Sequence, residues 1–190
     1  MTLATSIAQI RALGPCADGY RFALTGLPKE GEVTAAQARE AGCSFEDMAW
    51  YLSIEAMRDH EIWRRLQHWK ADCATRVLPV FEAVYPLDSR ARNAIIAVHA
   101  EAGGGTFAQG CPAEALAAEN QAWADGNVRA AQAAAAARTC GDATVKAAWA
   151  CAHSAVEAVR ENREAELAFQ YDRLVEWFTG DGPEPLRLTP

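Results

Sequence analysis

The sequence lacks several features that would place it in a common functional class. No stretch approaches the roughly 20 consecutive apolar residues that cross a bilayer, and the six cysteines contain no C-x-x-C pair. No segment alternates apolar and polar residues in the way a half-buried strand does. The N-terminal stretch MTLATSIAQIRALGPCADGY also lacks the basic region and apolar core of a secretory signal. We therefore expect a cytoplasmic protein with reduced cysteines, no membrane association and no need for strands.

Basic residues are also scarce relative to acidic ones. The chain has 18 Lys and Arg against 25 Asp and Glu, a net charge of -7. Residues 1–95 carry 11 bases and 12 acids, whereas residues 96–190 carry 7 and 13. Because affinity for phosphate backbones comes mainly from Lys and Arg, this balance argues against direct nucleic-acid binding. An acidic second half is instead compatible with docking onto a basic protein surface.

Helical periodicity is abundant. Hydrophobic residues make up 51% of the chain and recur at spacings of three and four, which predicts an all-α, multi-helix bundle formed by a single domain over residues 1–190. Thr34 with Gln37, and Ser44 with Asp47, have the spacing of helix-start capping boxes and predict short helices near 34–41 and 44–56. Residues 1–43 are expected either to form a helical cap or to cross the bundle surface without regular structure. Residues 180–190 are expected to form a loose tail.

A long apolar stripe predicts a central helix over residues 59–85. Pro79 lies inside it and is expected to bend or divide it, since proline removes an amide donor and clashes with the preceding turn. Pro86 ends this helix, and Asp88 is expected to cap the start of the next one, which ends near the glycines at 103–105.

Two arginines follow that corner at unfavourable positions. Arg90 and Arg92 lie in the first turn of a helix, where positive charge opposes the helix dipole. We expect ion pairs with Asp88, Asp72 or Glu82 to hold them and lock the corner. The alternative is that the two guanidinium groups bind a partner.

The segment from 112 to 163 contains 20 alanines, which predicts closely packed helices because alanine favours helix and leaves little side chain between neighbours. The larger residues within it are expected to fill the remaining volume. They are Trp123, Val128, Trp149, Val156 and Val159. The last helix is expected to run unbroken over about 142–178.

This last region is also acidic. Its carboxylates allow two interpretations, an ordinary solvated helix face with intrahelical ion pairs or an acidic stripe that docks into a basic groove of a partner. The candidate partner-binding residues are Glu157, Glu161, Glu164, Glu166, Asp172 and Glu176.

Catalytic and metal-binding patterns are missing. No H-E-x-x-H or di-iron E-x-x-H motif occurs, although His153 and Glu157 have an i, i+4 spacing. Cys151 and His153 are two residues apart, so a helix would point them to different faces. We expect no catalytic residue, no metal and no cofactor.

Several stretches together resemble a known family. They are LGPCADGYRFAL, then ADCATRVLPVFEAVYP followed by DSRARNAI, the alanine-rich helices with interspersed tryptophans, and ELAFQYDRLVEWF. In this order they are similar to the immunity-protein family of bacterial polymorphic-toxin loci, whose members are also carried by phages. That family has a proline between the two corner arginines, where this chain has Ala91. The resemblance implies a helical protein that binds and neutralises another protein, without catalytic residues.

These observations favour a non-enzymatic inhibitor that acts by surface complementarity as a monomer or homodimer. Its target would be a cognate bacterial toxin or a host nuclease defence complex, an anti-CRISPR-like role in which an acidic surface blocks a nucleic-acid-binding groove. The alternative is a homo-oligomeric helical scaffold.

Overall fold

The computed structural model describes residues 2–106, 111–142 and 145–188, and over these residues the protein is an all-α bundle with ten α-helices and one two-stranded ribbon. The helices are α1 (Ile7–Ala12), α2 (Ala17–Gly26), α3 (Ala35–Glu40), α4 (Phe45–Glu55), α5 (His60–Glu82), α6 (Arg90–Ala102), α7 (Cys111–Ala124), α8 (Val128–Cys140), α9 (Val145–Ala158) and α10 (Arg163–Trp177). The strands are β1 (Ala4–Thr5) and β2 (Val33–Thr34). Among the helices so described, none is both long and apolar enough to cross a membrane.

The central helix is α5, as the apolar stripe predicts. It begins after Asp59, whose side chain accepts hydrogen bonds from the first free amides of the helix. It packs against α4, α6, α8, α9 and α10 and buries Trp69, Val77 and Phe81 completely. Pro79 lies three residues before its last residue, and the helix continues through it to Glu82.

The alanine-rich helices pack closely, but not in the way the larger residues suggest. In α8, seven alanines between positions 130 and 137 are buried against neighbouring helices. Val156 is buried, whereas Trp123, Val128 and Trp149 are exposed, so the prediction that these three fill the bundle is wrong. Alanine-lined helix faces approach so closely that they leave no room for a tryptophan between them.

The prediction of one unbroken C-terminal helix is also wrong. Helix α9 ends at Ala158, a 3₁₀ turn spans Arg160–Asn162, and α10 starts at Arg163. The Arg129 side chain of α8 donates to the Ala158 carbonyl at 2.9 Å and so satisfies a backbone group left free at the helix end. The apolar pattern continues across this break and therefore does not reveal it.

Residues 2–43 form a cap that includes strands. β1 pairs with β2 in antiparallel register, with Ala4 opposite Thr34 and Thr5 opposite Val33, which corrects the expectation that no strand is needed. The cap has a small core of its own, built on Ala23, Leu27 and Val33. The capping box of Thr34 and Gln37 is confirmed.

The C-terminal segment is not loose over the part that the structure describes. The Leu186 amide donates to Asp72 Oδ1 at 2.7 Å, Arg173 donates to the Glu184 carbonyl, and Leu188 packs on the main core. The tail is therefore docked along α5 and α10 as far as residue 188.

Candidate functional site

The corner between α5 and α6 is held by two ion pairs within it. Arg90 donates to Asp88 from Nε at 2.9 Å and from Nη2 at 2.6 Å, and Arg92 donates to Glu82 at 2.7 and 2.9 Å. Two of the three expected partners are thus confirmed, while Asp72 pairs with Arg173 instead. The first residue before the helix is Ser89 rather than Asp88, although Asp88 accepts from the Arg90 amide at 3.1 Å. The hydrogen bonds from Arg90 lower the pKa of Asp88.

The six candidate acidic residues do not form one exposed stripe. Glu166 is buried, accepting from Arg76 Nε at 2.7 Å and from Gln170 Nε2 at 3.1 Å, so its assignment to a partner-binding surface is wrong. It lies on the side of α10 that faces α5, and the hydrogen bonds compensate for its removal from water. Only a three-dimensional neighbour distinguishes it from the other glutamates of this region.

The other acidic residues are mostly paired within the chain. Glu157 pairs with Arg163, Glu161 with Arg129, Asp172 with Arg39, and Glu176 with Arg173. Glu164 is exposed. Four of these five carboxylates therefore have a cationic partner within the chain and do not form an unpaired acidic stripe.

Side-chain hydrogen bonds bring the corner and part of the acidic region to one end of the bundle. Tyr85 Oη donates to Asp125 Oδ2 at 2.8 Å and accepts from Asn127 Nδ2 at 3.0 Å, which joins the corner to the α7–α8 turn. Arg129, just after that turn, pairs with Glu161 at 2.8 Å and bonds to the end of α9. Residues 82–92, 123–129 and 157–164 therefore meet in one region, here called the bundle end.

The bundle end exposes large apolar side chains. Leu87 at the corner is 98% exposed, Val128 52% and Trp123 44%, and Val84 is also exposed. The same three segments contain six carboxylates and five arginines, so their net charge is only -1. Exposed apolar and aromatic side chains together with charges of both signs are typical of the composition of a protein–protein interface.

A buried polar network lies elsewhere, between α5, α6 and α10. Asp72 is fully buried and accepts from Arg173 Nε at 2.8 Å and Trp177 Nε1 at 2.8 Å, besides the Leu186 amide. Burial is the main cause of a raised pKa for Asp72, and these hydrogen bonds oppose it. The sequence gives no signal for this network, because its members are separated by up to 114 residues.

Two histidines meet beside this network. His68 and His99 approach to 3.2 Å between their Nδ1 atoms, and His68 stacks on Trp177 with ring centroids 4.9 Å apart. Burial is the main cause that lowers the pKa of each imidazole to about 4, so both rings are neutral at pH 7. One ring then donates to the other, which makes the pair a structural contact of the core. Among the described residues, no group of three or more His, Cys, Asp or Glu could hold a metal ion.

The cysteine considered as a nucleophile is not paired with His153. Cys151 is buried, and its Sγ lies 3.4 Å from the carbonyl oxygens of Lys70 and Ala136. His153 points elsewhere and stacks on Trp149 with centroids 4.9 Å apart. Burial raises the pKa of Cys151 to about 12, so the group is a thiol rather than a reactive thiolate.

Comparison of the chain with models of protein families, with curated proteins and with solved structures finds no match.

Proposed function

We propose that the protein is a non-enzymatic inhibitor that binds a target protein through the bundle end. The family resemblance implies that it binds another protein. That target is either a cognate bacterial toxin or a host nuclease defence complex, in which case the protein acts like an anti-CRISPR inhibitor. The observation that supports this proposal is the group of exposed apolar side chains on the α5–α6 corner and beside the α7–α8 turn, which Tyr85 joins.

The apolar side chains are held on a rigid support. Leu87 lies within the corner that the Glu82–Arg92 ion pair closes, and the Asp88–Arg90 pair follows it directly. A turn that is already fixed loses little conformational entropy when a partner binds, so more of the contact energy appears as affinity. Trp123 supplies the kind of large aromatic side chain that dominates interface energies.

The ion pairs at the bundle end also change the effect expected from substituting its acidic residues. Reversing Glu157 or Glu161 to lysine would break ion pairs with Arg163 and Arg129 inside the bundle end, and so would alter its structure as well as its charge. Glu164 is the cleaner position, because it is exposed at the edge of the same region. We expect Glu164→Lys to slow association with a basic target and to leave helicity unchanged.

The experiment combines the protein with candidate toxins and CRISPR effector complexes, either by co-expression or by mixing of the purified proteins. The readouts are inhibition of the candidate and formation of a stoichiometric complex in size-exclusion chromatography. Leu87→Asp and Trp123→Asp should each abolish inhibition and the complex. Trp149→Asp is the matched control, since Trp149 is a similarly exposed tryptophan on α9, outside the bundle end. Retained inhibition by both bundle-end variants, or its loss in the control, would contradict the proposed surface.

The same experiment separates the inhibitor from the scaffold alternative. Native mass is measured for the wild-type protein alone and with each candidate. A discrete oligomer that Leu87→Asp dissociates, together with no complex with any candidate, would favour a homo-oligomeric scaffold that uses the bundle end for self-association. A monomer or dimer that forms a stoichiometric complex favours the inhibitor.

A further inference from the structure

A cavity of about 300 Å³ lies between the N-terminal cap and α4. Its walls come from both sides, with Phe22, Leu27 and Val33 from the cap and Trp50 and Tyr51 from α4. Most of the lining side chains are apolar, and three are aromatic. It lies within the cap-facing part of the fold and shares no residue with the bundle end.

The charged residues at the wall of this cavity are of one sign. They are Glu46 and Asp47, both in the first turn of α4, and no Lys, Arg or His is among the described residues of the lining. Asp47 is held in place, because its Oδ2 accepts from Ser44 Oγ at 2.9 Å. A Cβ atom at Gly19 would lie 2.7 Å from Asp47 Oδ1, so the glycine allows α2 to pack directly against this carboxylate.

Aromatic and acidic residues in one cavity favour one chemical class of ligand. Aromatic faces attract cations through their quadrupole, and a quaternary ammonium group is the ligand for which aromatic-lined sites are best suited. Carboxylates at the same site add charge attraction, while the apolar walls bind a hydrocarbon body. A carboxylate ligand would meet like charge and be disfavoured.

The volume sets the size of the ligand. An apolar cavity of ~150 Å³ holds one benzene molecule, so this one has room for a ligand of about twice that size. We propose that the cavity binds a small organic cation with an apolar body, its ammonium group near Glu46 and Asp47 and its hydrocarbon part between the cap and α4. This site is independent of the proposed inhibitor function.

Binding would join two parts of the fold. Because the walls belong to the cap and to α4, a bound ligand contacts both, and it binds the folded state in which the two are docked. A ligand that binds only the folded state raises its stability in proportion to the logarithm of ligand concentration above Kd. The melting temperature should therefore keep rising with the logarithm of the cation concentration above Kd, while direct titration should saturate at one ligand per chain.

The test uses octyltrimethylammonium and octanoate, which share an alkyl chain and differ in charge. Isothermal titration calorimetry of the full chain should show one saturable site for the cation, bound about tenfold or more tighter than octanoate. Equal or tighter binding of octanoate, or the absence of saturable binding of the cation, would overturn the proposal.

Two variants locate the site. Ala38→Phe fills the cavity from α3 and should abolish cation binding, whereas Ala8→Phe makes the same chemical change at an exposed position of α1 and should leave it intact. Glu46→Gln removes one exposed carboxylate without adding bulk and should reduce the preference for the cation severalfold. If Ala38→Phe undocks the cap, the Glu46→Gln result decides, and an unchanged preference in that variant contradicts the proposed site.

Discussion

Replacing Asp72 with asparagine removes the charge at the centre of the buried polar network while keeping the shape of the side chain. The carboxylate accepts three hydrogen bonds, from Arg173 Nε, Trp177 Nε1 and the Leu186 amide. It is fully buried, and Arg173 is nearly so. The substitution therefore leaves a largely desolvated guanidinium without its anionic partner, although Arg173 keeps its contact with Glu176.

The expected loss of folding free energy is large. Removing one partner of a buried ion pair costs about 3–5 kcal/mol, because the remaining charge is left uncompensated. Two features reduce that figure, since an asparagine oxygen still accepts hydrogen bonds and the buried carboxylate itself is costly to desolvate. We expect Asp72→Asn to lower the free energy of unfolding by about 3 kcal/mol.

Urea denaturation at neutral pH, followed by far-UV circular dichroism, measures this loss directly. Asp18→Asn is the control, since Asp18 forms an exposed ion pair with Arg21, and pairs of that kind contribute little. The double variant of Asp72→Asn with Arg173→Met should cost less than the two single variants together, by about 1 kcal/mol or more. A loss below about 1 kcal/mol for Asp72→Asn, or strict additivity of the pair, would refute the reasoning.

The buried histidines predict a pH dependence. Because burial lowers the pKa of His68 and His99 to about 4, the unfolded chain takes up protons that the folded chain does not between about pH 6.5 and 4. Stability should be full above that window and fall by roughly 3 kcal/mol for each histidine towards its lower end; Asp72, whose pKa is raised, acts in the opposite sense. Urea series across the window test this, and a flat profile contradicts it. Ala133→Leu should destabilise α8 by about 1–3 kcal/mol through overpacking, measured in the same assay. The same change at exposed Ala117 should be nearly neutral, and equal effects at the two positions would contradict the packing.

Local chemistry was enough to predict several of the helices and the corner. Capping residues and apolar spacing place α3, α4 and α5 within a few residues, because these signals act between near neighbours in sequence. The ion pairs of Arg90 and Arg92 were predictable for the same reason, since Asp88 and Glu82 lie two and ten residues away.

Contacts across the fold were not predictable in this way. Glu166 resembles its neighbours in sequence and is distinguished by Arg76, which is 90 residues away. Trp123 resembles a core residue in composition, yet it is exposed because alanine faces close the space around it. At the break after Ala158, the free carbonyl accepts a hydrogen bond from Arg129 of another helix. Each of these features is decided by the position of a second helix, which periodicity alone does not give.

The pairing of the acidic residues has a consequence for the proposed interface. An unpaired acidic stripe would bind a basic groove mainly by charge, and such binding weakens steeply as salt is added, because the screening length falls to about 8 Å at physiological ionic strength. At the bundle end the charges are nearly balanced and Leu87 and Trp123 supply apolar contact. The affinity of a complex formed there should change only a few-fold between low and physiological salt, and that change should lie mainly in the association rate, which responds to the charge of the whole chain. Surface plasmon resonance of the inhibitor with its target at several salt concentrations separates the two rates. A loss of affinity by a factor of about a hundred would favour the acidic residues over the bundle end as the main contact.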